Sequence, residues 1–279
     1  MDYLNAWELL NQVRYGLNEQ SSTLTNGTDT SGKFQNSELM RHINNAQTFI
    51  WNILFNQFPE YFMTSASITF TNSVATLPSD CWKIRQILDS EDIQIKPMNV
   101  GLKHSTGAGS NYGYYRYGNT LRIDADSNTQ TGTLWYYSRC REIDAGMTSA
   151  GGAASATLAT TAKAILSYYN NMKIENITDS TNDTITAYTA ARVATVTNTW
   201  AASKYYGIVS DLPEMFHSLI AHRAIITMKQ SPRVPVALTA ADISIFQQEL
   251  QAAMQMFAGG LNGDVTPDDI FNDFAPMVN

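Results

Sequence analysis

The chain has 279 residues, of which 44% are hydrophobic and only 15% charged, and its formal net charge is −7. This acidic balance argues against a protein that grips nucleic acid through a basic face, and no apolar run approaches the roughly 18 residues that suggest a membrane span. The low share of charged residues is typical of surfaces that pack against other subunits, and Cys81 and Cys140 are expected to be free thiols.

Two helices are predicted near the N terminus. The first is indicated by apolar residues at helical spacing, namely Leu4, Leu9, Leu10, Val13 and Leu17. The second begins at Asn36 and continues, with apolar residues three and four apart, until Pro59 ends it. The polar segment 18–35 between them shows no periodicity and is predicted to be an exposed loop.

Residues 61–146 are predicted to form an antiparallel β region. Short alternating runs are separated by turn residues, and the clearest hairpin joins Tyr114–Tyr117 to Thr120–Ile123 through Gly118-Asn119. Glycine and asparagine tolerate the positive φ that a tight two-residue turn requires. We therefore expect a sheet arm built from hairpins.

Residues 147–209 are predicted to be an inserted small all-β domain. Alternating apolar residues and turn residues indicate about five short strands. Gly146 and the pair Gly151-Gly152 are typical of a linker at its start. Because the flanking pattern reads through without this stretch, its two ends are expected to lie close together.

A helical hairpin is predicted over residues 211–260. Pro213 suits the first turn of its first helix, and Thr239 with Asp242 forms a weak capping box at the start of the second. The second helix carries a stripe of apolar residues, namely Ile243, Phe246, Leu250, Met254 and Phe257. Such a stripe must be buried, so we predict that the hairpin packs against the N-terminal helices.

The predicted fold class is therefore α+β: an α-helical bundle formed by the N- and C-terminal parts, with a β-hairpin/antiparallel sheet arm, an inserted small all-β domain and an extended C-terminal tail. The bundle core would comprise residues 1–60 and 210–260, and the arm residues 61–146. The insert would occupy residues 147–209, and the tail residues 261–279.

No catalytic, cofactor-binding or metal-binding residue is predicted, so the chain is not expected to be an enzyme. His217 and His222 are five residues apart on one predicted helix and cannot share a face as metal ligands would. The chain has no phosphate-cradling glycine loop and no Gly-x-Ser-x-Gly turn. Asp264, Asp268 and Asp269 lack the spacing and the closing glutamate of a calcium-binding loop.

The C-terminal tail mixes acidic residues with large apolar ones. A tail that serves only as a solvated, disordered segment would contain few aromatic residues. The mixture suits a segment that folds onto a partner, and simple disorder is the alternative. The candidate partner-binding residues are Asp264, Asp268, Asp269, Ile270, Phe271, Phe274 and Met277.

The order of several short motifs resembles that of the head-to-tail adaptor, or connector, proteins of tailed bacteriophages. Each motif is degenerate, and the resemblance lies in their sequence along the chain outside 145–209. The motifs are Glu38–Ala46, Leu77–Asp80, Leu121–Ile123, Gly132–Arg139 and Leu212–His217. Residues 147–209 are similar to a β module that recurs in phage virion proteins, usually with glycine where this chain has Asn171.

The resemblance implies a non-enzymatic virion protein, without a cofactor, that connects the portal to the tail and continues the DNA channel. In that family an α-helical bundle carries β arms, and copies assemble in a twelve-membered ring. The implied partners are other copies of the chain, the portal protein, which the C-terminal tail would reach, and a tail nozzle or tail-completion protein. DNA would pass through the channel without sequence-specific binding, and no membrane is involved. The protein would be made in the host cytoplasm and located at the head–tail junction of the virion.

A different class of function is the alternative. A tail-tip or fibre-associated β-module protein would bind cell-surface glycans, with aromatic side chains stacking on the sugars. Tyr168, Tyr169 and Trp200 would be the stacking residues, although aromatic residues in strands more often pack within a sheet.

Overall fold

The computed structural model describes residues 3–19, 34–98, 113–123, 129–234 and 236–261. The chain divides into two compact units. One contains Met1–Leu54 and Cys140–Asn279, and the other is the continuous stretch Phe55–Arg139. We describe each unit by itself.

The described ranges contain four α-helices: α1 (Ala6–Gly16), α2 (Asn36–Gln57), α3 (His217–Lys229) and α4 (Ala240–Leu261). Seven strands belong to the second unit: β1 (Met63–Thr71), β2 (Val74–Thr76), β3 (Cys81–Asp89), β4 (Gln94–Pro97), β5 (Gly113–Tyr117), β6 (Thr120–Ile123) and β7 (Thr129–Ser138). Eight further strands of 2 to 4 residues follow: β8 (Ala145–Met147), β9 (Ala150–Gly152), β10 (Ser155–Thr157), β11 (Lys173–Asn176), β12 (Thr181–Thr184), β13 (Ala187–Tyr188), β14 (Val193–Thr195) and β15 (Tyr205–Ile208).

The second unit is a closed barrel with the strand order β1-β2-β6-β5-β4-β3-β7. Alternation along the strands directs one set of apolar side chains inward, because successive residues of a strand face opposite sides. Phe70, Leu121 and Leu134 are among the residues that fill the interior. All neighbouring strands run antiparallel except β4 and β5, which pair in parallel at Lys96 and Gly113.

The strands of the first unit form two four-stranded sheets, with the orders β13-β14-β10-β9 and β12-β11-β15-β8. The antiparallel pair β8 and β15 places Ala145 opposite Gly207 and Met147 opposite Tyr205. The stretch between these two strands therefore leaves and returns at neighbouring positions.

Helix α1 lies against α3 and also against the sheet containing β15. Asn5 caps α1 in a capping box, in which its side chain accepts from the Glu8 N–H at 3.0 Å and the Glu8 carboxylate accepts from the Asn5 N–H at 3.0 Å. A side chain at Gly16 would collide with Ile225 of α3, and one at Gly207 would collide with the Asn5 amide. The two glycines therefore allow α1 to approach both neighbours closely.

The predicted fold class is wrong, because the N- and C-terminal parts do not form an α-helical bundle. The chain is α+β, with a closed seven-stranded barrel and four helices in its described part. The apolar stripe of α1 is buried against both α3 and strands β8 and β15. Helical periodicity shows that a face is buried, but it does not show whether a helix or a sheet covers that face.

The antiparallel sheet arm is corrected as well, since residues 63–138 close into a barrel that includes one parallel strand pair. Closure depends on pairings between distant strands, which local alternation does not reveal. The domain boundaries at residues 60, 146 and 209 stay predictions. Helix α4 extends to Leu261, and the rest of the predicted tail lies outside the described residues.

Candidate functional site

The predicted partner-binding residues all lie in the stretch 262–279, outside the described residues. They are Asp264, Asp268, Asp269, Ile270, Phe271, Phe274 and Met277. Their role in docking therefore stays a prediction. The nearest described element is α4, which directly precedes them in the chain.

Helix α4 has an apolar face on its outside as well as on its inside. Phe246, Leu250 and Met254 are buried, whereas Ile245 is 52% exposed and Met256 is 56% exposed. Exposed residues recur at intervals of three and four positions from Ala241 to Gly259, so they share one face of the helix. We call this set the α4 outer face: Ala241, Ile245, Gln248, Ala252, Met256 and Gly259.

The two charged residues of α4 both pair with α3. The Lys229 ammonium lies 2.9 Å from the Asp242 carboxylate, and His222 Nδ1 lies 2.6 Å from Glu249. Asp242 also accepts hydrogen bonds from the Thr239 N–H at 2.9 Å and the Thr239 hydroxyl at 2.8 Å. The Thr239 N–H, then Lys229, lower the pKa of Asp242 to about 2. The α4 outer face itself carries no charge.

The two histidines of α3 have different hydrogen-bond partners. His217 is buried, where its Nδ1 accepts from the Leu4 N–H at 3.1 Å and its Nε2 donates to the Leu212 carbonyl at 2.8 Å. Burial lowers the pKa of His217 and favours this neutral tautomer. The described residues hold no group of three or more His, Cys, Asp or Glu side chains that could share a metal ion.

A polar cavity of about 260 Å³ lies between the first half of α2 and the segment that leads into β8. The side chain of Asn44 donates to the Ile143 carbonyl at 3.0 Å and accepts from the Ile143 N–H at 2.9 Å. Gln47 donates to the Arg141 carbonyl at 2.7 Å. These bonds fix the wall of the cavity to α2. Asn36, Asp144 and Lys163 are among the residues that line it.

Asp144 is the buried carboxylate of this cavity. Its Oδ2 accepts from the Thr161 hydroxyl at 3.2 Å and from the Tyr206 hydroxyl, which itself accepts from the Ala159 N–H at 3.1 Å. Burial raises the pKa of Asp144 to about 6, and the hydrogen bonds from Tyr206 and Thr161 oppose the rise. Burial and the nearby Asp144 charge raise the pKa of Tyr206. The network orders the interior around β8 and β15, and no local pattern in the sequence predicted it.

The aromatic residues of the glycan-binding alternative are buried. Tyr168 and Tyr169 pack edge to face at 4.9 Å, and the Trp200 indole donates to Asp183 at 2.8 Å. These side chains pack inside the unit, so none of them presents a ring to a sugar. The assignment of Tyr168, Tyr169 and Trp200 as stacking residues is therefore wrong.

The α4 outer face was not predicted, because a more apolar stripe runs along the same helix. The sequence pattern placed Ile243 among the buried residues, but it is 39% exposed. Ile245 and Met256, which fit no buried stripe of α4, were the available signal. None of the helices in the described ranges combines the length and apolar character that crossing a bilayer requires.

No protein-family model matches the sequence, and no curated protein matches it either.

Proposed function

We propose that this chain is a structural virion protein that forms a ring, connects the portal to the tail and continues the DNA channel. The order of motifs along the chain supports this reading. The overall charge of −7 suits a channel wall, because a wall that holds phosphates tightly would impede sliding DNA. The tail residues 262–279 are the portal contact in this proposal.

The observation that carries the proposal is the α4 outer face. The 22-residue helix spans ~33 Å, and none of the residues of the α4 outer face is charged. Glu249, which borders this face, lies 2.6 Å from His222 Nδ1 of α3. Both charges of α4 are already paired with α3. Charged residues are depleted and apolar ones enriched at the centres of subunit interfaces. A ring offers each copy two neighbours against which such a face can be buried.

The test is the mass of the assembly, alone and with portal protein. Native mass spectrometry and electron microscopy of the purified 30.9 kDa chain should show a large closed ring, or a monomer that assembles only on portal. Replacing Ile245→Lys and Met256→Lys together should abolish the ring, because two ammonium groups would be placed in each subunit contact. Phe271→Ala with Phe274→Ala should instead weaken docking on portal.

Ile93→Lys is the matched control, since Ile93 is 57% exposed but lies outside α4. This variant should assemble as the wild type does. Circular dichroism should show that the Lys variants of α4 remain folded. A wild-type chain that stays monomeric or trimeric with portal present would overturn the proposal, as would a folded Ile245→Lys, Met256→Lys variant that still closes rings.

A further inference from the structure

Exposed large aliphatic side chains occur at three places in the described part of the chain. The first is α4 with its outer face, and the second is Ile93 in the barrel. The third is the adjacent pair Ile165 and Leu166, which are 45% and 66% exposed. Single apolar residues are ordinary on a surface, whereas contiguous ones mark contact sites. Ala164 beside the pair is exposed too, and we call residues 164–166 the apolar loop tip.

The apolar loop tip is fixed by hydrogen bonds on both of its sides. Before the tip, the Tyr188 hydroxyl donates to the Lys163 carbonyl at 2.7 Å, and the Tyr169 hydroxyl accepts from the Lys163 N–H at 3.2 Å. After the tip, the Ser167 N–H donates to the Tyr188 carbonyl at 2.8 Å. Tyr188 of β13 therefore bonds to residues on both sides. A loop that is ordered before binding loses little conformational entropy when a partner covers it.

Two cationic residues border the apolar loop tip. Lys163 directly precedes it and forms an ion pair within the same unit, and Arg192 Nε donates to the Ala162 carbonyl at 2.8 Å. None of the ion pairs between described residues includes Arg192. The charged residues of α4 have the opposite sign, since they are Asp242 and Glu249. The loop tip and the α4 outer face are thus both apolar, and their borders are complementary in charge.

A closed ring requires two different contact surfaces on every copy, because its subunits meet head to tail. In the proposed ring, the α4 outer face is one of these surfaces. Ile93 is a poor counterpart, since Glu91 and Asp92 precede it and would bring like charges to the carboxylates of α4. The apolar loop tip carries no such conflict. It also belongs to a different element, because β13 holds the loop whereas α4 packs on α3.

We propose that the apolar loop tip of one copy packs against the α4 outer face of the next copy. Ile245 and Met256 lie roughly 16 Å apart along the helix, and the small, exposed Ala252 lies between them. Leu166 of the neighbouring copy would be inserted over Ala252, with Arg192 near Glu249. This contact repeats around the ring, so it rests on the function proposed above and names the two surfaces that meet.

The first test is a charge exchange, measured by native mass spectrometry with and without portal protein. Ile165→Glu with Leu166→Glu should lower assembly at least about tenfold, because two carboxylates are placed in an apolar contact. Combining this change with Ile245→Lys and Met256→Lys in one chain should restore assembly by a similar factor. Carboxylates of one copy then face ammonium groups of the next, although each pair of changes alone is disruptive.

The second test is a cross-link between copies. Leu166→Cys copies are mixed with Ala252→Cys copies under mild oxidation, and peptide mass spectrometry identifies the cysteines that have joined. A disulfide should form between residues 166 and 252 of different copies. Ile93→Cys in place of Leu166→Cys is the matched control, because Ile93 is similarly exposed but lies outside both surfaces, and it should not join to residue 252.

The outcomes separate the loop contact from the ring itself. A wild-type chain that does not assemble, with or without portal, overturns both. Rings that persist with Ile165→Glu and Leu166→Glu, while Ile245→Lys with Met256→Lys abolishes them, overturn the loop contact alone. So does cross-linking of two copies through residue 252 without any bond between 166 and 252. Circular dichroism checks the fold of each variant, and the cross-link decides if the double Glu variant unfolds.

Discussion

The cores of the barrel and of the sheets of residues 144–209 contain different kinds of side chain. Among the described residues, the barrel interior is apolar apart from the hydroxyls of Tyr114 and Tyr136 and the thiol of Cys81. The other β region buries two carboxylates, Asp144 and Asp183, together with large aromatic side chains. Asp183 accepts from the N–H groups of Thr197 and Asn198, both at 3.0 Å, and from the Trp200 indole at 2.8 Å.

Barrel closure and the three long strands of the barrel account for the difference, although β2, β4, β5 and β6 have only 3 to 5 residues. Strands β1, β3 and β7 have 9 or 10 residues and close a barrel without free edges, so apolar alternation alone fills the interior. Strands β8 to β15 have 2 to 4 residues and pair over short ladders. Many backbone groups there need other partners, and tyrosine hydroxyls supply them: Tyr188 donates to the Lys163 carbonyl at 2.7 Å. The stability of the barrel should therefore depend mainly on the volume of its buried apolar side chains. The stability of the other region should depend mainly on its buried carboxylates.

The largest effect is expected from removing volume in the barrel. Phe70 on β1 is buried in the barrel core, and Phe70→Ala should cost about 3–5 kcal/mol of unfolding free energy through lost burial and the cavity left behind. The cost should be the same at pH 4.5 and pH 7, because no buried charged side chain of the described residues lies between 55 and 139. Urea unfolding, with hydrogen exchange followed on barrel peptides, measures it.

Thr69→Ala is the control for this change, since Thr69 points outward on the same strand and should cost less than about 0.5 kcal/mol. A cost below about 1 kcal/mol for Phe70→Ala would show that the barrel interior is not closely packed.

A smaller and pH-dependent effect is expected at Asp144. Burial raises the pKa of its carboxyl from 3.8 to about 6, so the folded chain holds this proton more tightly than the unfolded chain does. The stabilisation is complete below pH 3.8 and is lost as the pH rises through 6. Stability should therefore fall by about 3 kcal/mol between these limits because of this one group. Asp144→Asn cannot ionise and should remove that part of the pH dependence in urea unfolding.

Asp179→Asn is the control, because the Lys204 ammonium lowers the pKa of Asp179 and the residue lies on the surface. This variant should keep the fall in stability above pH 4. If Asp144→Asn also shows this fall in stability, a different group causes it. Asp144 would then not account for the difference in pH dependence between this region and the barrel.

Sequence patterns predicted the features that residues close together in the chain determine. Gly118-Asn119 predicted the hairpin that the structure has between β5 and β6, with Gly118 at φ 59°. Closure of the barrel was missed because it requires β2 to pair with β6 and β4 with β5, which are contacts between separate strands. Asp144 was missed for the same reason, since its partner Tyr206 is 62 residues away.

The helices show the same limit. The stripe that includes Leu9 and Val13 was predicted and both are buried, but the sheet that covers part of α1 could not be inferred from spacing. In α4, periodicity identified Phe246 and Leu250 as buried, and it could not show that Ile245 remains exposed. Local patterns thus predicted elements and buried faces, whereas the identity of each partner depends on contacts made by the whole chain.

The smallest effect should be equal in the two regions. Gly118 in the barrel and Asn171 in the other β region both have positive φ, 59° and 66°. A side chain at Gly118 would meet nothing within 4 Å, so Gly118→Ala tests the backbone alone. Gly118→Ala and Asn171→Ala should each cost about 1 kcal/mol, because alanine resists this conformation wherever it occurs.

Asn171→Gly is the matched change in the opposite direction. Glycine adopts the left-handed region freely, so this variant should be as stable as the wild type or more so. Thermal unfolding should resolve the set, since about 1 kcal/mol shifts the midpoint by roughly 2–4 °C in a chain of this size. Equal costs at residues 118 and 171 would show that the two regions differ in what fills their cores and not in how their turns are built. A cost at Asn171→Ala several times that at Gly118→Ala would instead assign the Asn171 side chain a role in the hydrogen-bonded interior.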